Sequence, residues 1–274
     1  EETNDFAAAE DTGRRAVEIE PRDPWAIHAV AHVMEMQGRT GDGIDWFNGR
    51  REDWAPENMF AFHNWWHLAL YHLDREEHDR VLEIYDTGVR PEKSDVALEM
   101  LDASALLWRL HLDGVDVGDR WAGLADTWEG TIDDGYYAFN DVHAMMAFVG
   151  AGREKAADAL LGTMEKAAAG QGTNAMMTRE VGLPLARAIR AFGAGDYGTA
   201  TDLVEPVAPV ASRFGGSNAQ RDVVQRTLVE SAIRAGRGAL ARELMEARMA
   251  AKPESRFNLR NAERARTLGE GGEA

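Results

Sequence analysis

Residues 25–36 read WAIHAVAHVMEM, and residues 63–73 read HNWWHLALYHL. Both stretches are typical of α-helices, and each carries two histidines four positions apart. The pairs are His28 with His32 and His63 with His67. Residues four apart on a helix lie one above the other, so each helix directs two imidazoles the same way, and Glu35 extends the first row. We therefore predict that the two helices face each other across a polar pocket that the rest of the chain supports.

The remaining sequence also indicates helices. Alternation of apolar and polar residues is nearly absent, and segments rich in Ala, Leu, Glu and Arg follow one another with short breaks at Gly, Pro or Asp. Asp23 and Pro24 are typical of a helix start and Gly38 of a helix end, whereas Ser217 and Gln220 fit a capping box. The predicted helices cover residues 6–20, 24–37, 41–50, 58–73, 76–88, 95–112, 119–129, 138–150, 153–168, 178–193, 196–211, 218–235, 237–250 and 254–267.

The spacing of the helix starts indicates a repeat. Pro24 and Asn58 are 34 positions apart, and Pro91 follows 33 positions later. A helix–turn–helix unit of about 34 residues has the tetratricopeptide period, and in such arrays one helix of each pair lines a concave face. We predict an all-α fold, a tetratricopeptide-like α-solenoid of stacked helix pairs. It would form a single domain over residues 1–274 and close around a central pocket, with both histidine pairs on first helices.

Composition excludes several classes of protein. The chain has 274 residues, 45% of them hydrophobic, and no Cys, so it can bury a sizeable core but has no disulfide and no thiolate ligand. Its net charge of −17 argues against nucleic acids and anionic membranes as partners, because both need clustered Lys and Arg. No apolar run approaches the ~20 residues of a membrane span, and no signal peptide opens the chain. We expect a cytoplasmic protein whose N-terminal part precedes this sequence.

Five stretches of the sequence resemble the tetratricopeptide repeat protein 38 family. They are WAIHAVAHVMEMQGR (residues 25–39), HNWWHLALYHLDREEHDRVLEIYDTGVR (63–90), DASALLWRL (102–110), FNDVHAMMAF (139–148) and GGSNAQRDV (215–223). The resemblance covers nearly the whole chain in order. It implies an all-helical repeat fold and a longer N-terminal part, and it implies no settled biochemical activity.

The four histidines allow three interpretations. Neutral imidazoles are common ligands of Zn, Ni, Fe or Cu, so the two pairs with Glu35 predict a site for a divalent transition metal. Alternatively, the pocket holds no metal, and a histidine acts as a general acid or base beside Glu35 or Asp102. A third interpretation is packing against Trp25, Trp65 and Trp66. The HExxH metalloprotease motif is absent, since the residues between the paired histidines are Ala-Val-Ala and Asn-Trp-Trp.

A second set of polar residues recurs on the predicted first helices and is expected to bind ligand. The set comprises Asp102, Arg109, Asn140, His143 and Arg221. The planar guanidinium of an arginine suits a carboxylate or phosphate, although an intramolecular ion pair would explain either arginine equally well. The phosphate-binding GxxxxGK[ST] and GxGxxG motifs and the GxSxG hydrolase elbow are all absent from the chain.

These observations favour a small-molecule-binding or hydrolase-like protein. His28, His32, His63, His67 and Glu35 would be its catalytic residues, a divalent transition metal is its possible cofactor, and whether it is an enzyme stays open. The alternative is a scaffold that binds a peptide in its concave groove. Peptide-binding grooves of this kind present Lys, Arg and Asn as separate clamps, and Lys is scarce in this chain. The clustered histidines therefore favour the pocket, and the sequence leaves the oligomeric state undecided.

Overall fold

Polar caps and glycine turns set the helix ends where the sequence predicts them. The Asp23 side chain accepts hydrogen bonds from main-chain N–H groups of the helix that Pro24 begins. Gly38, just beyond the end of that helix, has a φ of 69°, a left-handed conformation that glycine adopts without strain. Ser217 and Gln220 form the predicted capping box, each satisfying a main-chain N–H group of the other.

A computed structural model describes residues 2–268, and that part of the chain is helical without a β-strand. The helices are α1 (Phe6–Ile19), α2 (Pro24–Met36), α3 (Thr40–Asn48), α4 (Arg51–Trp54), α5 (Ala61–Asp74), α6 (His78–Ile84), α7 (Ala97–Leu112), α8 (Arg120–Trp128), α9 (Ala138–Gly150), α10 (Glu154–Ala168), α11 (Thr173–Met177), α12 (Leu183–Gly193), α13 (Tyr197–Val204), α14 (Asn218–Arg234), α15 (Gly238–Ala251) and α16 (Arg256–Thr267). Segments of π-helix cover Tyr85–Val89 and Thr178–Gly182, and 3₁₀ segments cover Glu129–Thr131 and Ala208–Phe214. Within the described chain, every helix is too short or too polar to traverse a lipid bilayer.

The largest departure from the predicted helices lies after α13. We predicted one helix over residues 196–211, but α13 ends at Val204 and a 3₁₀ segment follows. Pro206 and Pro209 explain the break, because proline lacks the N–H group that a helix interior needs and disfavours helical geometry in the residue before it. The prediction of one continuous helix here was wrong.

The chain divides into two compact units. The first comprises residues 2–91 and 246–260, and the second comprises 92–245 and 261–268. Neighbouring helices pack as pairs within each unit: α2 on α3 and α5 on α6 in the first, α9 on α10 and α12 on α13 in the second. The predicted all-α fold of stacked helix pairs is confirmed. The single domain over residues 1–274 and the closure around a central pocket stay predictions.

One glycine lets the two histidine-bearing helices pack closely with α3. A Cβ atom added to Gly43 would stand 2.2 Å from the Tyr71 ring, so the ring lies directly on the α3 backbone. The Tyr71 hydroxyl donates to the carbonyl oxygen of Ala31 over 2.6 Å, which ties α5 to α2. Trp54 and Trp66 are fully buried in the same unit. These contacts fix which faces α2 and α5 turn towards each other.

Candidate metal centre

Helices α2 and α5 bring the two histidine pairs together within the first unit. One nitrogen from each of the four rings can be chosen so that all four lie within 4.8 Å of one another. The ring centroids of neighbouring members are 4.2 to 4.9 Å apart. The four residues, called the histidine cluster below, are His28, His32, His63 and His67. The convergence of four imidazoles that the sequence predicted is therefore present.

Three members of the cluster are buried and one reaches the surface. His32 is 1% exposed, His63 is 5% exposed and His67 is fully buried, whereas His28 is only part-buried. The cluster therefore lies nearest to the surface on the side of His28. This side is called the open edge below.

A carboxylate orients one of the buried rings. The Nδ1–H group of His67 donates to Oε2 of Glu35 over 2.8 Å. A neutral imidazole carries one N–H group, so this bond makes Nε2 of His67 the acceptor nitrogen of the ring, the atom through which it would coordinate a metal ion. Nε2 of His67 lies 3.1 Å from Nε2 of His28. Glu35, His67 and His28 thus form a row in which the carboxylate fixes the tautomer of the middle ring.

The pKa of His28 favours its neutral form. Burial lowers this pKa well below the ordinary value of 6.5, and the neighbouring His32 and His63 lower it further because two cationic rings would repel. At neutral pH the ring therefore keeps a free lone pair. A metal ligand needs this state, since a protonated imidazole cannot coordinate.

Aromatic side chains surround the cluster on its inner side. The Trp66 ring stacks on His63 with ring centroids 5.3 Å apart and an angle of 12° between the planes. Trp65 points elsewhere and meets Trp54 at 4.7 Å. Adjacent residues of a helix point about 100° apart, so only one of these two tryptophans can face the histidines.

An apolar surface borders the open edge, and the sequence interpretation missed most of it. The Phe60 ring lies 5.1 Å from the His28 ring and 5.0 Å from the His63 ring, measured between centroids. Trp25 covers the other side of Phe60 in a parallel stack at 4.0 Å. Trp25 is 62% exposed. Trp25 and Phe60 are called the apolar lip below.

The second set of predicted ligand-binding residues lies in the second unit. Arg109 is 1% exposed, and its guanidinium donates to the carbonyl oxygens of Ala105 and Ala219 over 3.0 and 2.8 Å. His143 is equally buried and donates from Nδ1 to the carbonyl oxygen of Phe139 over 2.7 Å. Burial lowers the pKa of His143 to about 4, and the charge of Arg109 contributes in the same direction.

The other members of this set have different surroundings. Asp102 is buried in α7 at 1% exposure. Asn140 is part-buried and donates to the hydroxyl of Tyr136 over 3.4 Å. Arg221 donates to the carbonyl oxygen of Gly216 and to Oδ1 of Asn218 at the start of α14. The ligand-binding role of all five residues stays a prediction.

Sequence reasoning missed a buried carboxyl next to this set. Asp141 is 6% exposed, and its Oδ2 has no hydrogen-bond partner within residues 2–268. Burial raises its pKa to about 7, and the charge of Asp134 adds to the rise. A signal was present in FNDVHAMMAF, where this aspartate falls within an apolar helical run.

His72 and His111 lie outside the cluster. Nδ1 of His72 lies 2.5 Å from Oε2 of Glu77, and the His111 ring stacks on Trp108 at 5.1 Å. A hydrogen bond therefore holds the first ring and aromatic stacking the second.

Comparison with known proteins adds little to this description. No protein-family model matches the sequence. Among solved structures, the chain is similar to a protein in "Structure of Naa15/Naa10 bound to HypK-THB", with 14% sequence identity and a TM-score of 0.37 over 96% of this chain. The match covers 37% of that protein, so this chain spans little more than a third of its length. The function is therefore argued from the site itself.

Proposed function

We propose that the histidine cluster binds one divalent transition-metal ion and that the protein uses this ion to hydrolyse a small molecule. The observation that supports the proposal is the set of four imidazole nitrogens within 4.8 Å of one another. Packing alone needs no such set, because aliphatic side chains fill a helix interface without polar groups to satisfy.

The nitrogen separations are compatible with a single ion. A Zn–N bond is about 2.0–2.1 Å long, so two nitrogens on one ion stand roughly 3 to 4 Å apart, depending on the geometry. Nε2 of His28 and Nε2 of His67 are already 3.1 Å apart, and the widest separation in the set does not exceed 4.8 Å. Side-chain rotations that move the ring nitrogens by about 1 Å would bring all four within bonding distance of one ion. The helices α2 and α5 would not need to move.

Glu35 supports the same proposal through its hydrogen bond with His67, without coordinating the ion itself. Metal-bound histidines typically donate their second N–H group to a carboxylate or a carbonyl oxygen, which fixes the ring and raises its basicity. The bond from His67 to Glu35 has this form. The lowered pKa of His28 also supports the proposal, because its imidazole is then neutral at neutral pH and available as a metal ligand.

The second part of the proposal is that the bound ion catalyses hydrolysis. A bound transition metal lowers the pKa of a coordinated water to about 7, which supplies a nucleophile at neutral pH. His28 is the least buried of the four rings, so water and substrate would approach the ion from the open edge. Four ring ligands fill a tetrahedral shell, so catalysis requires a fifth position, and His28 is the ligand best placed to make room for it.

Membership of the tetratricopeptide repeat protein 38 family and a cytoplasmic location belong to the same proposal. Two of the stretches that resemble the family, residues 25–39 and 63–90, carry all four histidines and Glu35. The proposal would therefore extend to any family member that retains these side chains.

Metal analysis of untagged protein tests the binding. We expect about one equivalent of Zn²⁺ or Co²⁺ per chain after dialysis, and a thermal unfolding midpoint that rises with metal concentration. His63→Ala should lose both effects while its helical circular dichroism is retained. His78→Ala, which changes a histidine outside the cluster, should behave as the unmodified protein.

A protein that binds no Zn²⁺, Co²⁺, Ni²⁺ or Cu²⁺ and gains no stability from them would refute the metal centre. The peptide-binding scaffold would then be the better interpretation. For hydrolysis, a panel of small esters and amides is compared with the metal-loaded and the chelator-treated protein. Turnover that persists after complete removal of the metal would refute the role of the ion.

A further inference from the structure

The apolar lip leaves large hydrophobic surface in water next to a polar centre. Trp25 is 62% exposed even though it stacks on Phe60. Exposed apolar patches at the rim of a polar site commonly mark where a ligand binds. The lip therefore offers contact area for an apolar group at the open edge.

The position of the lip relative to the histidines limits the size of that group. Phe60 contacts His28 and His63 on one side and Trp25 on the other. The Trp25 ring also meets the His28 ring edge-on, with centroids 6.3 Å apart. A ligand atom on the proposed ion and a ring on Trp25 would thus be separated by about the width of one or two aromatic rings.

The net charge of the proposed metal centre determines which chemical group of the ligand binds the ion. Four neutral imidazoles leave the two positive charges of the proposed ion unchanged, and the carboxylate of Glu35 behind His67 contributes one negative charge. The centre would keep a net charge of about +1 in a largely buried setting, where unbalanced charge is costly. A single anionic oxygen donor from the ligand would neutralise it.

We infer that the centre and the apolar lip together bind a small monocarboxylate that carries one aryl group. Its carboxylate oxygen coordinates the ion at the open edge, and its ring packs on Trp25. This inference rests on the proposed metal centre, since without the ion nothing at the open edge attracts an anion. A carboxylate bound in this way takes the position of the nucleophilic water, so the ligand would be a product of the proposed hydrolysis rather than its substrate.

Hydroxamates test the inference because they bind metals more firmly than carboxylates and exist with or without an aryl group. The full chain is loaded with Co²⁺ and titrated with benzohydroxamate and with acetohydroxamate, and the visible spectrum of the cobalt reports binding. We expect benzohydroxamate to bind at least tenfold more tightly. In Trp25→Ala this preference should fall to about twofold or less, and Trp25→Phe should retain most of it.

Tyr136→Ala is the matched control, because Tyr136 is also 62% exposed but belongs to the second unit. It should leave the preference unchanged. Equal affinities for the two hydroxamates in the cobalt-loaded protein, or a preference that survives Trp25→Ala, would overturn the ligand class and leave the metal centre intact. A chain that gives no cobalt spectrum would overturn both proposals.

Discussion

His67 donates from Nδ1 to Oε2 of Glu35 over 2.8 Å, and its other nitrogen lies 3.1 Å from Nε2 of His28. The carboxylate therefore decides which nitrogen of His67 faces the other three rings. Because this contact joins α2 to α5, the orientation of a ring on one helix depends on a side chain from the other.

The first prediction concerns the negative charge of the Glu35 carboxylate, which accepts the hydrogen bond from His67. Glu35→Gln keeps an oxygen that can accept from Nδ1 but removes the negative charge, so His67 should become a weaker donor to the metal. We expect the affinity for Zn²⁺ to fall about 10- to 100-fold, as measured by competition with a chelating dye. Glu18→Gln removes an exposed charge from α1 and should have no such effect. Equal affinities in the two variants would contradict the role of Glu35.

The second prediction concerns acid stability. The pKa of His143 is about 4 in the folded protein and about 6.5 when the chain is unfolded. Between these two pH values His143 is protonated in the unfolded chain but neutral in the folded protein. The free energy of unfolding should therefore decrease as the pH falls from about 6.5 to 4. The loss from this residue is at most about 3 kcal/mol. His143→Gln should show a flatter pH dependence in urea unfolding at pH 7, 5.5 and 4.5, and an unchanged slope would refute the assignment.

The third prediction has the opposite sign. The pKa of Asp141 is raised to about 7, so this residue contributes its full stability only below about pH 4 and loses it as the pH rises to 7. Asp141→Asn removes the buried charge and should be more stable than the unmodified protein at pH 8, by at most about 4 kcal/mol. The gain should disappear towards pH 4. Asp133→Asn, an exposed change nearby, should show no gain, and a destabilised Asp141→Asn at pH 8 would contradict the prediction.

The fourth prediction tests the packing that aligns the two histidine helices. Gly43→Ala would place a methyl group 2.2 Å from the Tyr71 ring, so the ring must move and its bond to Ala31 must lengthen. We expect a loss of about 1–3 kcal/mol in the free energy of unfolding and weaker metal binding. Gly41→Ala is the control on the same helix, because no atom lies within 4 Å of its added methyl group. It should be neutral or slightly stabilising by helix propensity, about 0.5 kcal/mol.

The sequence predicted those features that depend on local periodicity. The spacing of His28 and His32 places both rings on one helix face whatever the tertiary structure, and the repeat of about 34 residues predicted that α2 and α5 belong to successive pairs. The exposed stack of Trp25 on Phe60 depends on where the loop before α5 lies, which no local pattern specifies. The burial of Asp141 likewise depends on neighbours that are distant in sequence.

The break after Val204 was predictable in principle. Pro206 and Pro209 are visible in the sequence, within the single helix predicted over residues 196–211. A proline inside a predicted helix interior is stronger evidence than a continued periodic pattern, because it removes a hydrogen bond and creates a steric clash.

The histidine cluster draws equally on α2 and α5, which belong to successive helical pairs. An ion that needs donors from both helices can bind only while the two pairs are docked, so its affinity includes the free energy of that docking. The ion would stabilise the interface between the two pairs. Amide hydrogens of both helices would exchange more slowly in its presence, and removal of the ion would allow the pairs to separate more often.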